Sequence, residues 1–334
     1  MSANVSWVRA NGFLLALVAA VILAFIFPQG GARGGLINPD YINNGGIALI
    51  LFFQGLSLAF EQVRSGVGNW RLHLIIQAFT FLVFPLVGLL LDWMVPGIWA
   101  SEPQAIRDGF LYLCVLPSTI SSSVVFTAIA KGNTAGALFN AAISNILGVI
   151  LTPFLVHLLM KTAGQAAATG FGPLLLKILL LTLVPFSIGM ILRPFVRARA
   201  DASKQWFTRI SNGVIVFIVY SAFCDSVKED VWHRHGASVT LLTGLYVIAL
   251  FVGISLLVYW TCRALKLGRG DMIAAYFCSV KKTLAMGVPL AVLIFGRSAE
   301  LSLILLPVML YHPLQLLVNG VLAARWGKHD GSGI

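Results

Sequence analysis

Predominantly apolar runs of 18 to 28 residues recur along the chain, at 11–28, 41–60, 72–94, 108–130, 133–160, 172–196, 207–226, 237–263, 271–295 and 299–325. Short connections with isolated Lys, Arg, Gly and Pro residues separate them. A helix that crosses a bilayer needs about 20 mostly apolar residues. The pattern therefore predicts an all-α membrane protein with ten transmembrane helices. An even number of spans puts both termini on one side. The roughly two-to-one excess of Lys and Arg in the loops on that side predicts that both termini are cytoplasmic, in a multi-pass protein of the cytoplasmic (inner or plasma) membrane. The first run follows Arg9 but ends in Phe25-Ile26-Phe27-Pro28-Gln29 without a small-residue cleavage site, so it reads as a retained span.

Ten spans divide into two sets of five, and a second set of five begins on the opposite side of the membrane. Any repeat must then be inverted, with halves at 8–161 and 170–326. Spans four and nine carry the correspondence. Cys114 is followed by Leu116-Pro117-Ser118-Thr119 and by the tight turn Lys131-Gly132-Asn133, and Cys278 by Ser279-Val280-Lys281-Lys282-Thr283, Pro289 and the turn Gly296-Arg297-Ser298. Paired interruptions of this kind mark the broken helices that hold substrate and ions in secondary transporters.

Composition narrows the choice further. Of the 334 residues, 58% are apolar and 10% charged, which leaves no room for a soluble domain. The net charge of +11 comes from basic residues scattered singly through loops, and this excludes a nucleic-acid surface. Cys114, Cys224, Cys262 and Cys278 lie in apolar stretches without CxxC spacing, so they read as buried small residues and not as a metal site or disulfide framework. No GxSxG, HExxH or pair of mid-membrane carboxylates is present, which argues against an enzyme, and no ring-forming charged motif points to a channel.

The chemistry lies in polar groups at membrane depth. Span four carries Ser118, Thr119, Ser121, Ser122 and Ser123 after Pro117, near the middle of the hydrocarbon. Either the hydroxyls plug a proline kink, or they line an unwound segment. Span five offers Asn140, Ser144 and Asn145, as glue between helices or as part of a site. Span three adds Gln77 and Thr80 before Pro85. In span nine, Lys281, Lys282 and Thr283 stand about ten residues in, roughly 15 Å deep by helical rise. An intramembrane lysine costs at least about 2.5–3.5 kcal/mol and is a functional candidate by default. The carboxylates Glu61, Asp92, Asp108, Asp225 and Asp271 all lie near span ends. The partners of the lysines are then serine and asparagine oxygens, unwound carbonyls or an anionic substrate; without partners, the lysines can exchange protons. In span ten, His312, Gln315 and Asn319 make one helical stripe, suited to a polar cavity and to a proton relay through His312.

These residues resemble the bile acid:sodium symporter family, solute carrier family 10, across nearly the whole chain. The resemblance lies in Phe53-Gln54-Gly55-Leu56-Ser57-Leu58, Phe84-Pro85-Leu86, Ala130-Lys131-Gly132-Asn133 and Leu151-Thr152-Pro153. Two further stretches, 279–289 and 306–312, are similar to the divergent branch of the seventh mammalian member and its bacterial relatives. The resemblance implies ten helices in two inverted five-helix repeats, a core of 72–160 plus 237–325 and a panel of 11–60 plus 172–226. It also implies broken helices four and nine that cross at the substrate and sodium sites. The family's sodium pattern is mostly missing here: Ser122-Ser123-Val124 stands for its Ser-Asn pair, Ala137 and Ala141 for its span-five hydroxyls, Thr80 for its span-three Gln, and Lys281 for the Gln that follows a missing Glu.

An ammonium in place of a carboxylate supplies the positive charge that sodium would bring, so Lys281 or Lys282 is expected to occupy the space of the ion. The expected function is secondary active transport of a small organic anion by alternating access, with sodium disfavoured and either protons or no ion as the coupling. The alternative is a regulatory or accessory membrane protein acting on ion homeostasis or envelope biosynthesis. No resident cofactor is implied, and the partners are the anion and the lipid bilayer. Substrate identity and oligomeric state are not legible in the residues.

Overall fold

The computed structural model of the chain describes residues 2–35, 39–57, 68–94, 103–160, 171–296, 298 and 300–328. The connection 161–170 between the expected repeats, and Arg297 of the second tight turn, lie outside the described residues. All regular structure among the described residues is helical. In chain order it runs α1 (Ser2–Ile26), α2 (Pro39–Ser57), α3 (Trp70–Ala78), a π-helical turn (Phe79–Val83), α4 (Phe84–Met94), α5 (Gln104–Val115), α6 (Ser121–Ile129) and α7 (Thr134–Leu159). It continues with α8 (Phe171–Lys228), α9 (Val231–Ala264), α10 (Arg269–Ser279), α11 (Leu284–Phe295) and α12 (Leu301–Lys328).

Among the described residues, six helical stretches are long and apolar enough to cross a membrane: 70–91, 134–159, 178–228, 238–264, 269–295 and 301–328. Large apolar side chains remain exposed along them, including Leu82, Leu86 and Leu90 at four-residue spacing on α4 and its preceding turn. Such a stripe suits lipid, not water.

The chain forms two compact units. The first comprises 1–58, 177–238 and 288–305. In it α2 and α8 approach closely through small residues: a Cβ on Gly55 would strike the Phe186 carbonyl, and one on Gly189 the Phe52 carbonyl. The long α8 is two helices joined at a kink at Val196 (φ −117°, ψ 17°). Buried Arg193 spans that kink, donating to Asp201 Oδ1 at 2.8 Å and to the Leu56 carbonyl at 3.1 Å.

The second unit comprises 59–176, 239–287 and 306–334 and holds the residues of chemical interest. Two of its helical stretches are interrupted in mid-course. The chain is extended at 116–119 between α5 and α6, and non-helical at 280–283 between α10 and α11. Pro117 explains the first break, because it lacks an N–H and pushes Leu116 out of helical backbone (ψ 149°). Thr283 closes the second, its hydroxyl accepting the Met286 N–H at 3.4 Å in the manner of an N-cap. A third irregularity, the π-turn at 79–83, sends the Phe84 N–H to the Phe79 carbonyl instead of to Thr80.

Candidate functional site

The two interruptions meet. The Thr283 N–H donates to the Pro117 carbonyl at 3.0 Å, and Ser118 Oγ donates back to the Cys278 carbonyl at 2.6 Å. Ser123 Oγ reaches the Phe277 carbonyl at 3.0 Å. Tyr112 donates to the Gly287 carbonyl at 2.5 Å, and Tyr311 to the Val280 carbonyl at 2.6 Å.

Every broken helix releases carbonyls that must find donors in a medium without water. At the first break five of these carbonyls have donors from elsewhere in the fold. Thr152 Oγ1 takes the Val115 carbonyl at 2.9 Å, the Thr283 N–H takes that of Pro117, and Asn145 Nδ2 takes that of Ser118 at 2.8 Å. Cys114 loses its usual helical donor because the Ser118 N–H turns to Ser144 Oγ at 3.0 Å. The Cys114 and Leu116 carbonyls both go to Lys282, whose Nζ lies 2.8 Å from each.

The third acceptor for Lys282 comes from the π-turn. Phe84 has directed its N–H to Phe79, and Pro85 has none to give, so Thr80 O is released and receives Lys282 Nζ at 3.0 Å. The ammonium also lies 4.0 Å from the centre of the Phe84 ring. Lys282 thus ties three helix irregularities together with one charge. Its own backbone is equally fixed, since Gln315 accepts its N–H and donates to its carbonyl, each at 2.8 Å.

Those two bonds settle the orientation of the Gln315 amide, because a backbone N–H needs an oxygen and a carbonyl needs a nitrogen. The same Nε2 lies 3.0 Å from His312 Nδ1, so Nδ1 accepts and carries no proton in this arrangement. Lys281 is different. It is fully buried, yet its Nζ has no hydrogen-bond partner among the described residues and lies 3.7 Å from the centre of the Phe126 ring and 5.9 Å from that of Phe277.

The structure brings most of the expected residues together. Ser118, Ser123, Ser144, Asn145, Thr283, Lys281, Lys282, Gln315, His312 and the Thr80 carbonyl all belong to the crossing or border it. Thr119 Oγ1 bonds Ser122 at 2.8 Å and Ser123 at 3.0 Å and so adjoins it. Ser121 stands apart, exposed at the start of α6. Asn140 and Gln77 form a separate cluster with His73: Gln77 Nε2 donates to the Asn140 backbone carbonyl at 3.1 Å, and Asn140 Nδ2 lies 2.9 Å from His73 Nδ1.

Sequence reasoning passed over His73, Tyr112, Thr152 and Phe126. A signal existed for Thr152. Asn140, Ser144, Gly148 and Thr152 repeat every four residues on α7, and the last three line the first break. Gly148 does so by admitting the Pro117 ring, which a Cβ there would meet at 2.6 Å. His73 had the same signal, four residues before Gln77. Tyr112 and Phe126 had none.

The fold and the crossing describe a multi-pass helical membrane protein with interrupted helices of the kind carriers use. The chain belongs to the SBF-like CPA transporter family, whose pattern matches residues 11–328. It is 36% identical to the Escherichia coli (strain K12) protein YfeH over 318 residues, 95% of this chain and 92% of that one. It is 38% identical to the protein PA2026 of Pseudomonas aeruginosa over 322 residues, 95% and 93% of the two chains. Sodium/bile acid cotransporter 7 of Rattus norvegicus is 31% identical over 319 residues, 94% and 92% of the two chains.

Proposed function

We propose that the chain is a secondary active transporter of a small organic anion that works by alternating access without sodium, coupled either to protons or to no ion. The observation that carries this reading is Lys282 Nζ among three main-chain carbonyls where two interrupted helices meet. Rings of carbonyl oxygens are what a monovalent cation seeks. Here a tethered ammonium fills the ring and brings its own charge, so no free cation is required to hold the break open.

In this reading the ten spans form inverted repeats at 8–161 and 170–326, with both termini cytoplasmic. The core, 72–160 plus 237–325, moves against a panel of 11–60 plus 172–226. The rat relative is named for sodium and bile acid; from that name we carry over only the class of substrate, an organic anion. In this reading His312 is the titratable ring beside the lysines, and taking up a proton at Nδ1 requires Gln315 Nε2 to release it.

The test is uptake of labelled monocarboxylates and sulfonates, taurocholate among them, into vesicles containing the purified protein. Sodium is exchanged for potassium, with and without an inward proton gradient. Saturable uptake that ignores the sodium exchange is expected. Sodium-stimulated uptake would remove the built-in cation from the account, and no saturable uptake of any anion would remove transport itself.

A further inference from the structure

We infer that the adjacent lysines divide the work at the crossing: Lys282 is a fixed structural cation, and Lys281 with Asn319 binds the single negative head of a small organic anion. The role of that anion as transported substrate rests on the reading above; the binding site does not.

An ammonium has three N–H donors. Those of Lys282 are matched by three carbonyl oxygens, its far side by the face of Phe84, and its backbone by Gln315. Nothing remains for a ligand. Lys281 is just as buried, and none of its donors meets an acceptor among the described residues. The Phe126 face attracts its charge but does not replace hydrogen bonds. Buried polar groups of this kind are rare in folded proteins and point to a ligand or to catalysis.

A second group, on α12, has the same property. Asn319 lies one turn beyond Gln315 and is fully buried, yet neither its amide oxygen nor its amide nitrogen has a partner among the described residues. Its neighbour Gly320 packs against the Phe126 ring on which the Lys281 ammonium lies; a Cβ there would come within 3.9 Å of that ring. Thus α12 carries a buried, unspent amide one residue from its approach to the ring on which the unspent amine lies.

The charge selects the ligand. Lys282 is committed to the backbone, and neither lysine has a carboxylate partner among the described residues. The charge of Lys282 rests on three carbonyl dipoles, whereas a protonated Lys281 has neither dipoles nor a counter-charge until an anion supplies one. A neutral ligand would leave the Lys281 charge uncompensated, and a dianion would add an uncompensated negative charge at membrane depth, where either is costly. A carboxylate or sulfonate with an apolar body meets the ammonium, the amide and the ring together.

The experiment is thermal unfolding of the full chain in neutral detergent, free of anionic lipid. The probes are benzoate and its uncharged analogue benzamide at millimolar concentration, with wild type, Lys281→Met, Lys282→Met and Asn319→Ala. Lys281→Met removes an unpaired buried amine and is expected to unfold at a higher temperature than wild type, whereas Lys282→Met strands three carbonyls and unfolds lower. Benzoate should raise the wild-type transition, raise that of Asn319→Ala less, and leave Lys281→Met unmoved; benzamide should move none.

Three results would overturn the inference. A Lys281→Met protein that is less stable than wild type, or does not fold, makes Lys281 structural too. Equal benzoate shifts in wild type and Lys281→Met place the anion elsewhere, and a wild type that benzoate does not move has no such site. No readout here requires uptake. A protein that binds benzoate through Lys281 yet carries nothing would keep this inference and lose transport, and carriage without Lys281 dependence would do the reverse.

Discussion

Gln315 pairs with Lys282 as a neighbouring strand would, its Oε1 accepting the Lys282 N–H and its Nε2 donating to the Lys282 carbonyl, each at 2.8 Å and both buried. One side chain from α12 thereby stands in for the helix that the chain abandons at 280–283. Replacing Gln315 with Leu keeps the volume but strands a buried donor and a buried acceptor, each costing about 1–3 kcal/mol. The Leu variant is expected to lose about 2–5 kcal/mol, and Gln315→Glu, which keeps the acceptor, should lose less. Thermal unfolding in detergent reads both. Two transitions equal to wild type would mean that Gln315 does not hold the break.

The close approach of Gly148 to Pro117 sets a steric prediction. A Cβ at 148 would stand 2.6 Å from the Pro117 ring, so either α7 or the extended segment must retreat. Overpacking of this kind costs typically about 1–3 kcal/mol. Because the same segment presents the Leu116 carbonyl to Lys282 and the Pro117 carbonyl to Thr283, Gly148→Val should impair function beyond its effect on stability. Uptake that falls further than the amount of folded protein would bear this out; uptake that tracks folded protein would mean that the crossing tolerates the shift.

The places that sequence reasoning reached, and those it missed, have physical causes. The helical class and the break at Pro117 were legible because hydrocarbon length and proline leave marks in the pattern of residues, whereas the break at 280–283 contains no proline. That Lys281 and Lys282 are shut off from solvent was legible too, since both stand well inside an apolar run. Which lysine is committed and which is free was not, because the answer depends on the π-turn at 79–83 releasing the Thr80 carbonyl, and no residue type marks a π-turn. Ser121 read as one hydroxyl of five. The restart of the helix at that residue turns it outward, a choice that depends on backbone phase and not on composition. Thr119 bonds the hydroxyls of Ser122 and Ser123, contacts that the sequence did not specify.

Arg193 and Asp201 give a pH prediction in the connection after the Val196 kink. The guanidinium hydrogen bond to Asp201 holds its carboxyl below the usual carboxylate range. A depressed folded value means that the ion pair contributes stability above the unfolded carboxylate range and loses it as pH falls through the folded value. Asp201 is exposed, so the contribution is small and screened by salt. Asp201→Asn should therefore flatten the acid side of the stability profile slightly at low ionic strength and leave it unchanged at neutral pH in high salt. Arg193→Met should cost more at every pH, because it also strips the buried Leu56 carbonyl of its donor. Unfolding temperatures of both variants across acid pH would separate the effects, and equal losses at all pH values would refute the pairing.

The carbonyl ring around Lys282 makes a prediction about cations. A ligand that binds only the folded state stabilises it by mass action, by about 2.7 kcal/mol at a hundred times its dissociation constant. With the ring already filled by Nζ at 2.8, 2.8 and 3.0 Å, replacing choline by sodium should leave the wild-type unfolding temperature unchanged. Truncation to Lys282→Ala removes the tethered ammonium but leaves the carbonyls of Thr80, Cys114 and Leu116 facing the same point. That variant is expected to unfold at a lower temperature and to recover part of the loss in methylammonium, which restores a positive charge with three donors, while tetramethylammonium, which has none, gives no recovery. Sodium stabilisation of the wild type would place a cation site outside this ring and defeat the reading of Lys282 as a built-in ion. Recovery by tetramethylammonium equal to that by methylammonium would show that charge alone, and not hydrogen bonding to released carbonyls, holds the crossing together.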